Sequence, residues 1–113
     1  MREFLHSNEL ADACIFLMNK TDFEDLVRIN KVEGEIRNTH INIGTGVDQT
    51  IRELAEMVSS TVGFKGQILW DSSKPDGTMR KLMDVSKISN LGWKAQISIK
   101  DGLKKVYQQY IQE

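Results

Sequence analysis

Apolar residues recur at helical spacing over residues 8–19, where Leu10, Cys14, Leu17 and Met18 fall together and Ala11, Ala13 and Ile15 join them. The pattern predicts a first helix, capped by Ser7 or Asn8, with Glu9 or Asp12 beside its positive end. Residues 20–38 are more polar. Phe23, Leu26, Val27 and Ile29 suggest a short helical turn or ordered flap, followed by a loop around Gly34. His40–Ile43 (HINI) reads as a short strand, because the β-branched Ile41 and Ile43 alternate with Asn42.

Gly44-Thr45-Gly46 ends that strand, and a helix over 51–62 follows. Thr50 and Glu53 stand at the capping-box spacing, Ile51, Leu54, Ala55, Val58 and Val62 form the inner face, and Gly63 closes the helix. Gln67–Trp70 (QILW) reads as a second strand, and Asp71–Thr78 as a polar turn punctuated by Pro75 and Gly77. A single helical turn is expected over 84–89, ending near Leu91-Gly92-Trp93. Ser98 caps a last helix whose apolar face is Leu103, Val106, Tyr107, Tyr110 and Ile111. The order is helix, strand, helix, strand, short helix, long helix, which is a small α/β arrangement in one unit, residues 1–113.

Composition narrows the classes. Hydrophobic residues are 40% and charged residues 27% of 113, as in a folded domain. A net charge of -1 gives no general pull toward nucleic acid or acidic membrane. No stretch approaches the ~20 apolar residues of a membrane span. Residues 1–18 carry Glu3, Glu9 and Asp12, which argues against a signal or transit peptide, so a cytoplasmic location is expected. The lone Cys14 lies inside a helical apolar pattern and is expected to be a buried, inert thiol. His6 and His40 have no cysteine or acidic pair at ligand spacing, so no metal site is expected.

Three places carry candidate chemistry. Arg2 stands just before a helix start, where a cation can grip a phosphate that also faces helix N–H groups, or can simply be a surface arginine. The run Lys74-Pro75-Asp76-Gly77-Thr78-Met79-Arg80-Lys81 sets three cations and a carboxylate on one turn. Lys74, Arg80 and Lys81 could meet a diphosphate while Asp76 orients one of them or a sugar hydroxyl; the plain alternative is a solvated charge run. Gly44 and Gly46 imitate a phosphate loop but lack the third glycine of G-x-G-x-x-G, and a turn is the favoured reading. Trp70 and Trp93 could stack on a ring, although packing is the simpler use.

The segments R-E-F-L-H, HINIGTG, T-I-R-E-L-A, V-G-F-K-G, SKPDGT-x-RK-L-x-D and L-G-W together resemble the C-terminal part of the GDP-L-fucose synthase family, within the extended short-chain dehydrogenase/reductases. The resemblance implies a small substrate-binding domain of an enzyme that converts GDP-4-keto-6-deoxy-D-mannose to GDP-L-fucose by 3,5-epimerisation and 4-reduction with NADPH. It implies that Arg2 and Lys81 contact the nucleotide diphosphate, with Asp76 and Arg80 around the same pocket. Where the family has a pair of carboxylates this chain has Asn8-Glu9, and Met79 stands where proline is frequent. The family's NADP(H)-binding N-terminal Rossmann domain, its serine–tyrosine–lysine group and its epimerisation cysteine and histidine have no counterpart in these 113 residues. Neither Cys14 nor His6 takes such a role.

The implied partners are therefore a GDP-sugar and that Rossmann domain, in a homodimeric parent. The chain by itself is expected to be inactive, to bind no NADP(H), and to engage neither nucleic acid nor membrane. A related nucleotide-sugar epimerase or dehydratase, or a non-catalytic interaction domain, are the alternatives.

Overall fold

The computed structural model describes residues 1–29, 31, 32, 35, 36 and 38–112. In chain order these form β1 (Arg2–Glu3), α1 (Ser7–Lys20), α2 (Phe23–Ile29), β2 (Lys31–Val32), β3 (Glu35–Ile36), β4 (Asp48–Gln49), α3 (Ile51–Val62), α4 (Ser86–Leu91) and α5 (Ile99–Tyr110). The arrangement is helical with small sheets, in agreement with the α/β expectation. The expected loop at Gly34 lies outside the described residues.

The helices follow their local signals. At α3, Thr50 Oγ1 accepts from the Glu53 N–H at 3.1 Å and the Glu53 carboxylate returns to the Thr50 N–H at 2.7 Å, a complete capping box. Gly63 and Gly92 end α3 and α4 at φ values of +71° and +108°, which side-chain-bearing residues rarely adopt. Ser98 caps α5 by accepting from the Asp101 N–H at 3.2 Å.

The cap of α1 corrects the sequence expectation. Neither Ser7 nor Asn8 takes the position. His6 does, with extended backbone, its Nδ1 accepting from the Asn8 N–H at 3.1 Å. An imidazole nitrogen offers the same acceptor that Asp or Asn would. Glu9 does lie in the first turn, but its buried carboxylate is turned away from the helix. Oε1 accepts from the backbone N–H of Gln96 and, at 2.8 Å, from that of Ile97. This acid ties α1 to the entry of α5.

The packed core is one corner. Ala13, Ile88 and Trp93 are buried, with Leu5, Phe16, Leu17, Ile41, Ile43, Val85 and Ala95 against them. The indole N–H of Trp93 donates to Asp12 at 2.8 Å, so the ring is buried with its polar edge satisfied. Cys14, expected to be buried, is exposed. Ala13 occupies the buried side of α1, and the neighbouring Leu10, Ile15 and Met18 face outward with Cys14.

The two expected strands do not form. His40–Ile43 lies in no strand: Ile41 and Ile43 pack half-buried on the core, and no ladder partner adjoins them among the described residues. Gln67–Trp70 is likewise outside any sheet, and the Trp70 ring instead receives the Arg52 guanidinium at 4.8 Å from its centroid. Alternation did not translate into burial either: Asn42 is as half-buried as Ile41 and Ile43, and Leu69 and Trp70 are both exposed. The paired strands are shorter and elsewhere: β1 runs antiparallel to β4, with Arg2 opposite Gln49 and Glu3 opposite Asp48, and β2 runs antiparallel to β3.

The molecule is open. Its radius of gyration is 18.2 Å, against about 13 Å for a compact chain of this length. Its accessible surface is 8932 Å², against about 6,300 Å² for a compact monomer of this mass. Much of the excess is apolar: Ile51, Val58 and Val62 on α3 and Val106 and Tyr110 on α5 are all exposed.

Candidate functional site

The site is built on β1. On one side lies β4; on the other, Lys81 forms a parallel bridge to Arg2, its N–H donating to the Met1 carbonyl at 3.1 Å. The Met1 amino group also donates to the Met79 carbonyl. Arg2 and Lys81, almost eighty positions apart in sequence, are therefore neighbours.

Residues paired across a bridge present their side chains on the same face, and successive residues alternate. Arg2, Lys81 and Gln49 accordingly share one face of this small sheet, and Glu3, Asp48 and Arg80 the other. The ion pair between Arg80 and Asp48 agrees with that register, since it spans β1. Arg80 Nε meets Asp48 Oδ2 at 2.6 Å and Nη2 meets Oδ1 at 3.3 Å.

The two faces differ in how their charges are used. On the first, the Lys81 ammonium has no hydrogen bond or ion pair among the described residues. The Arg2 guanidinium spends one nitrogen, Nη1, on the carbonyls of Met1 at 2.7 Å and Thr78 at 2.6 Å, and meets no carboxylate among them. Two positive charges thus stand together without an acid, the arrangement an anion requires. On the second face every charge is engaged. The fork of Arg80 holds the Asp48 carboxyl below its usual range, chiefly through their hydrogen bond, and Asp48 raises Arg80 in turn.

Glu3 is the most heavily used acid there, and the sequence reading passed over it. Its Oε1 accepts from the Gly46 N–H at 2.6 Å and from the Thr45 hydroxyl at 3.2 Å, and its Oε2 from the Met83 N–H at 3.0 Å. Gly44 makes the room: a Cβ there would lie 2.5 Å from Oε1. The Gly44–Gly46 turn is therefore a seat for the chain's own carboxylate, and the donors that a phosphate would need are occupied. An acid placed between an arginine and a phenylalanine gave no periodic or motif signal.

The expected site residues separate accordingly. Arg2 and Lys81 are brought together. Arg2 lies in a strand, not at the helix start as expected, and the Asn8 amide in the first turn of α1 is taken by His6. Arg80 belongs to the opposite face. Asp76 orients none of the cations: it has no hydrogen bond or ion pair among the described residues, and Asp48 is the acid that meets Arg80. Lys74 and Asp76 are exposed on the turn that reaches toward Arg2, where a Cβ on Gly77 would lie 3.4 Å from Arg2 Nη2.

An apolar groove of about 380 Å³ borders this sheet, lined by Phe4, Val47, Gln49 and residues 95–99. Among the described residues no group of three His, Cys, Asp or Glu side chains could hold a metal ion, and no helix is long and apolar enough to cross a membrane. The Gly44–Gly46 turn does not fit a dinucleotide phosphate, because Glu3 fills it.

No protein-family profile matches the chain. Individual proteins do. It is 49% identical over 111 residues to GDP-L-fucose synthase 1 of Arabidopsis thaliana, covering 98% of this chain and 30% of that protein. It is 45% identical over 112 residues to the GDP-L-fucose synthase of Escherichia coli, covering 99% and 33%. Among solved structures it superposes on a GDP-6-OMe-4-keto-L-xylo-heptose reductase from Campylobacter jejuni with a TM-score of 0.90 and 50% identity, covering 98% of this chain and 31% of that one. The chain thus spans about a third of the length of the relatives it matches. By sequence and by fold it matches the C-terminal region of GDP-sugar enzymes of the extended short-chain dehydrogenase/reductase kind.

Proposed function

We propose that this chain is the GDP-sugar-binding part of an NADPH-dependent enzyme that converts GDP-4-keto-6-deoxy-D-mannose to GDP-L-fucose. The observation that carries the reading is the pairing of Arg2 with Lys81 on the sheet face that holds no carboxylate. Two cations fixed on adjacent strands would neutralise the diphosphate and set the direction of the attached sugar. Such positioning speeds reaction by removing the entropy of alignment. Lys74 and Asp76, exposed on the neighbouring turn, would meet the ends of the same ligand in this reading. Arg80 supports the turn through Asp48 instead of contacting it.

Glu3 fills the Gly44–Gly46 turn, and in this reading the hydride donor is held by a Rossmann domain elsewhere in the enzyme. The uncovered apolar faces of α1, α3 and α5 fit docking onto that remainder, in a cytoplasmic, homodimeric parent. Alone, the chain would turn over no substrate.

A second reading, a GDP-heptose reductase, is favoured by the similarity to the Campylobacter enzyme, which matches the identity to the fucose synthases. Both readings share the GDP moiety. Calorimetry with GDP, UDP and dTDP tests it: saturable binding with preference for GDP is expected, and an equal response to all three removes the guanine assignment. The full-length enzyme, assayed with the 4-keto-6-deoxyhexose and 4-keto-heptose derivatives of GDP, separates the two sugars.

A further inference from the structure

We infer that Glu3 is a positioning residue that sets Arg2 and Lys81 in register. This deepens the reading that those two cations receive the diphosphate, and rests on it. Glu3 follows Arg2 directly in β1, and Met83 lies two residues beyond Lys81. The Glu3 carboxylate holds the Met83 N–H at 3.0 Å with one oxygen and the Gly46 N–H and Thr45 hydroxyl with the other. It therefore fastens the segment that carries Lys81, and the turn that leads into β4, to the strand that carries Arg2. Without it the Lys81 segment is still held by the Met1 carbonyl, the bridge at Arg2, the terminal amino group, the Arg2 guanidinium on Thr78 and the Arg80–Asp48 pair, none of which touches Met83.

Three donors converge on two carboxylate oxygens, and an amide side chain has one oxygen. In Glu3→Gln at least one of the three donors must face an NH2 group, and the charge that strengthens these bonds is gone. Gly44→Ala reaches the same contact from the other side, since its methyl would displace the carboxylate while leaving it intact. Gly44 has no positive φ, so this change acts through space alone.

The test uses the 113-residue chain, with GDP as probe, at a temperature where each variant is folded by circular dichroism. In Glu3→Gln, amide hydrogen exchange at Lys81 and Met83 should quicken about tenfold while that of α5 stays unchanged, and GDP should bind about tenfold more weakly. In a Lys81→Ala background the same Glu3→Gln change should alter GDP affinity by less than twofold, because the residue acts through Lys81. If Glu3→Gln does not fold, Gly44→Ala is read in the same way. Unchanged exchange at Lys81 and Met83 overturns the inference, as does a loss of GDP affinity equal in both backgrounds, which would mark a merely structural role. Failure of the unaltered chain to bind GDP would sink the proposed function instead, and the exchange result would still decide the role of Glu3.

Discussion

The Trp93 corner and the Arg2–Lys81 turn sit in one small chain and are built on opposite terms. In the corner Ala13, Ile88 and Trp93 lose nearly all contact with water, and the one polar edge, the indole N–H, has Asp12. Around the turn residues 71–81 are all exposed, backbone carbonyls are the partners of Arg2, and Lys81 keeps its charge free among the described residues. The corner holds shape; the turn holds charge that meets no acid among the described residues. The difference implies that stability and ligand affinity can be altered separately.

The largest separation should come from Ile88→Ala. It opens a cavity in the packed corner and should lower stability by about 2–4 kcal/mol, read by urea denaturation. GDP affinity measured on the remaining folded fraction should not move. Lys81→Ala is the mirror image, with GDP affinity falling about 10- to 100-fold and the urea midpoint unchanged. A Lys81→Ala chain that loses stability as Ile88→Ala does would erase the distinction.

Smaller changes sharpen it. Trp93→Phe keeps most of the buried ring and drops the bond to Asp12, for an expected cost of about 1 kcal/mol. Thr50→Ala removes the capping box of α3 at a similar cost of about 1 kcal/mol, again without effect on GDP.

The smallest effect is in acid. Asp48 is held below its ordinary value first by the hydrogen bond from Arg80, and Asp84 and Glu53 are lowered by bonds from Ser86 and Thr50. A depressed carboxyl means that the unfolded chain binds more protons, so these groups favour folding above about pH 4 and the contribution is lost as pH falls through their lowered values. Asp48→Asn should flatten the acid limb of a stability–pH curve below about pH 4 and leave the corner untouched. An identical limb in that variant would mean the pair contributes nothing.

What was legible in the sequence follows the same division. Helices could be read because their signals are local: Thr50 with Glu53, Gly63, Gly92 and Ser98 each act within one turn of chain. His40–Ile43 was read as a strand from its β-branched residues, but its lack of a strand partner was not legible, because pairing depends on chain far away. For the same reason the sequence showed Arg2 and Lys81 as cations without showing that a bridge joins them. It grouped Arg80 with Lys81 because they are adjacent in the chain, whereas beside a bridge adjacent residues face opposite ways. Glu3 was invisible for a related reason: its partners, Thr45, Gly46 and Met83, come from two distant segments. Cys14 was placed inside because its helix is apolar on more than one side, and one of those sides is uncovered here.

The central claim, that the Arg2–Lys81 face receives a nucleotide diphosphate, is tested most directly by GDP calorimetry on the chain and on Lys81→Ala at two salt concentrations. The account predicts one saturable site, weakened by salt because its charges are exposed, with affinity at least tenfold lower and less salt-dependent in the variant. Equal affinity and equal salt dependence in the two folded proteins would contradict it.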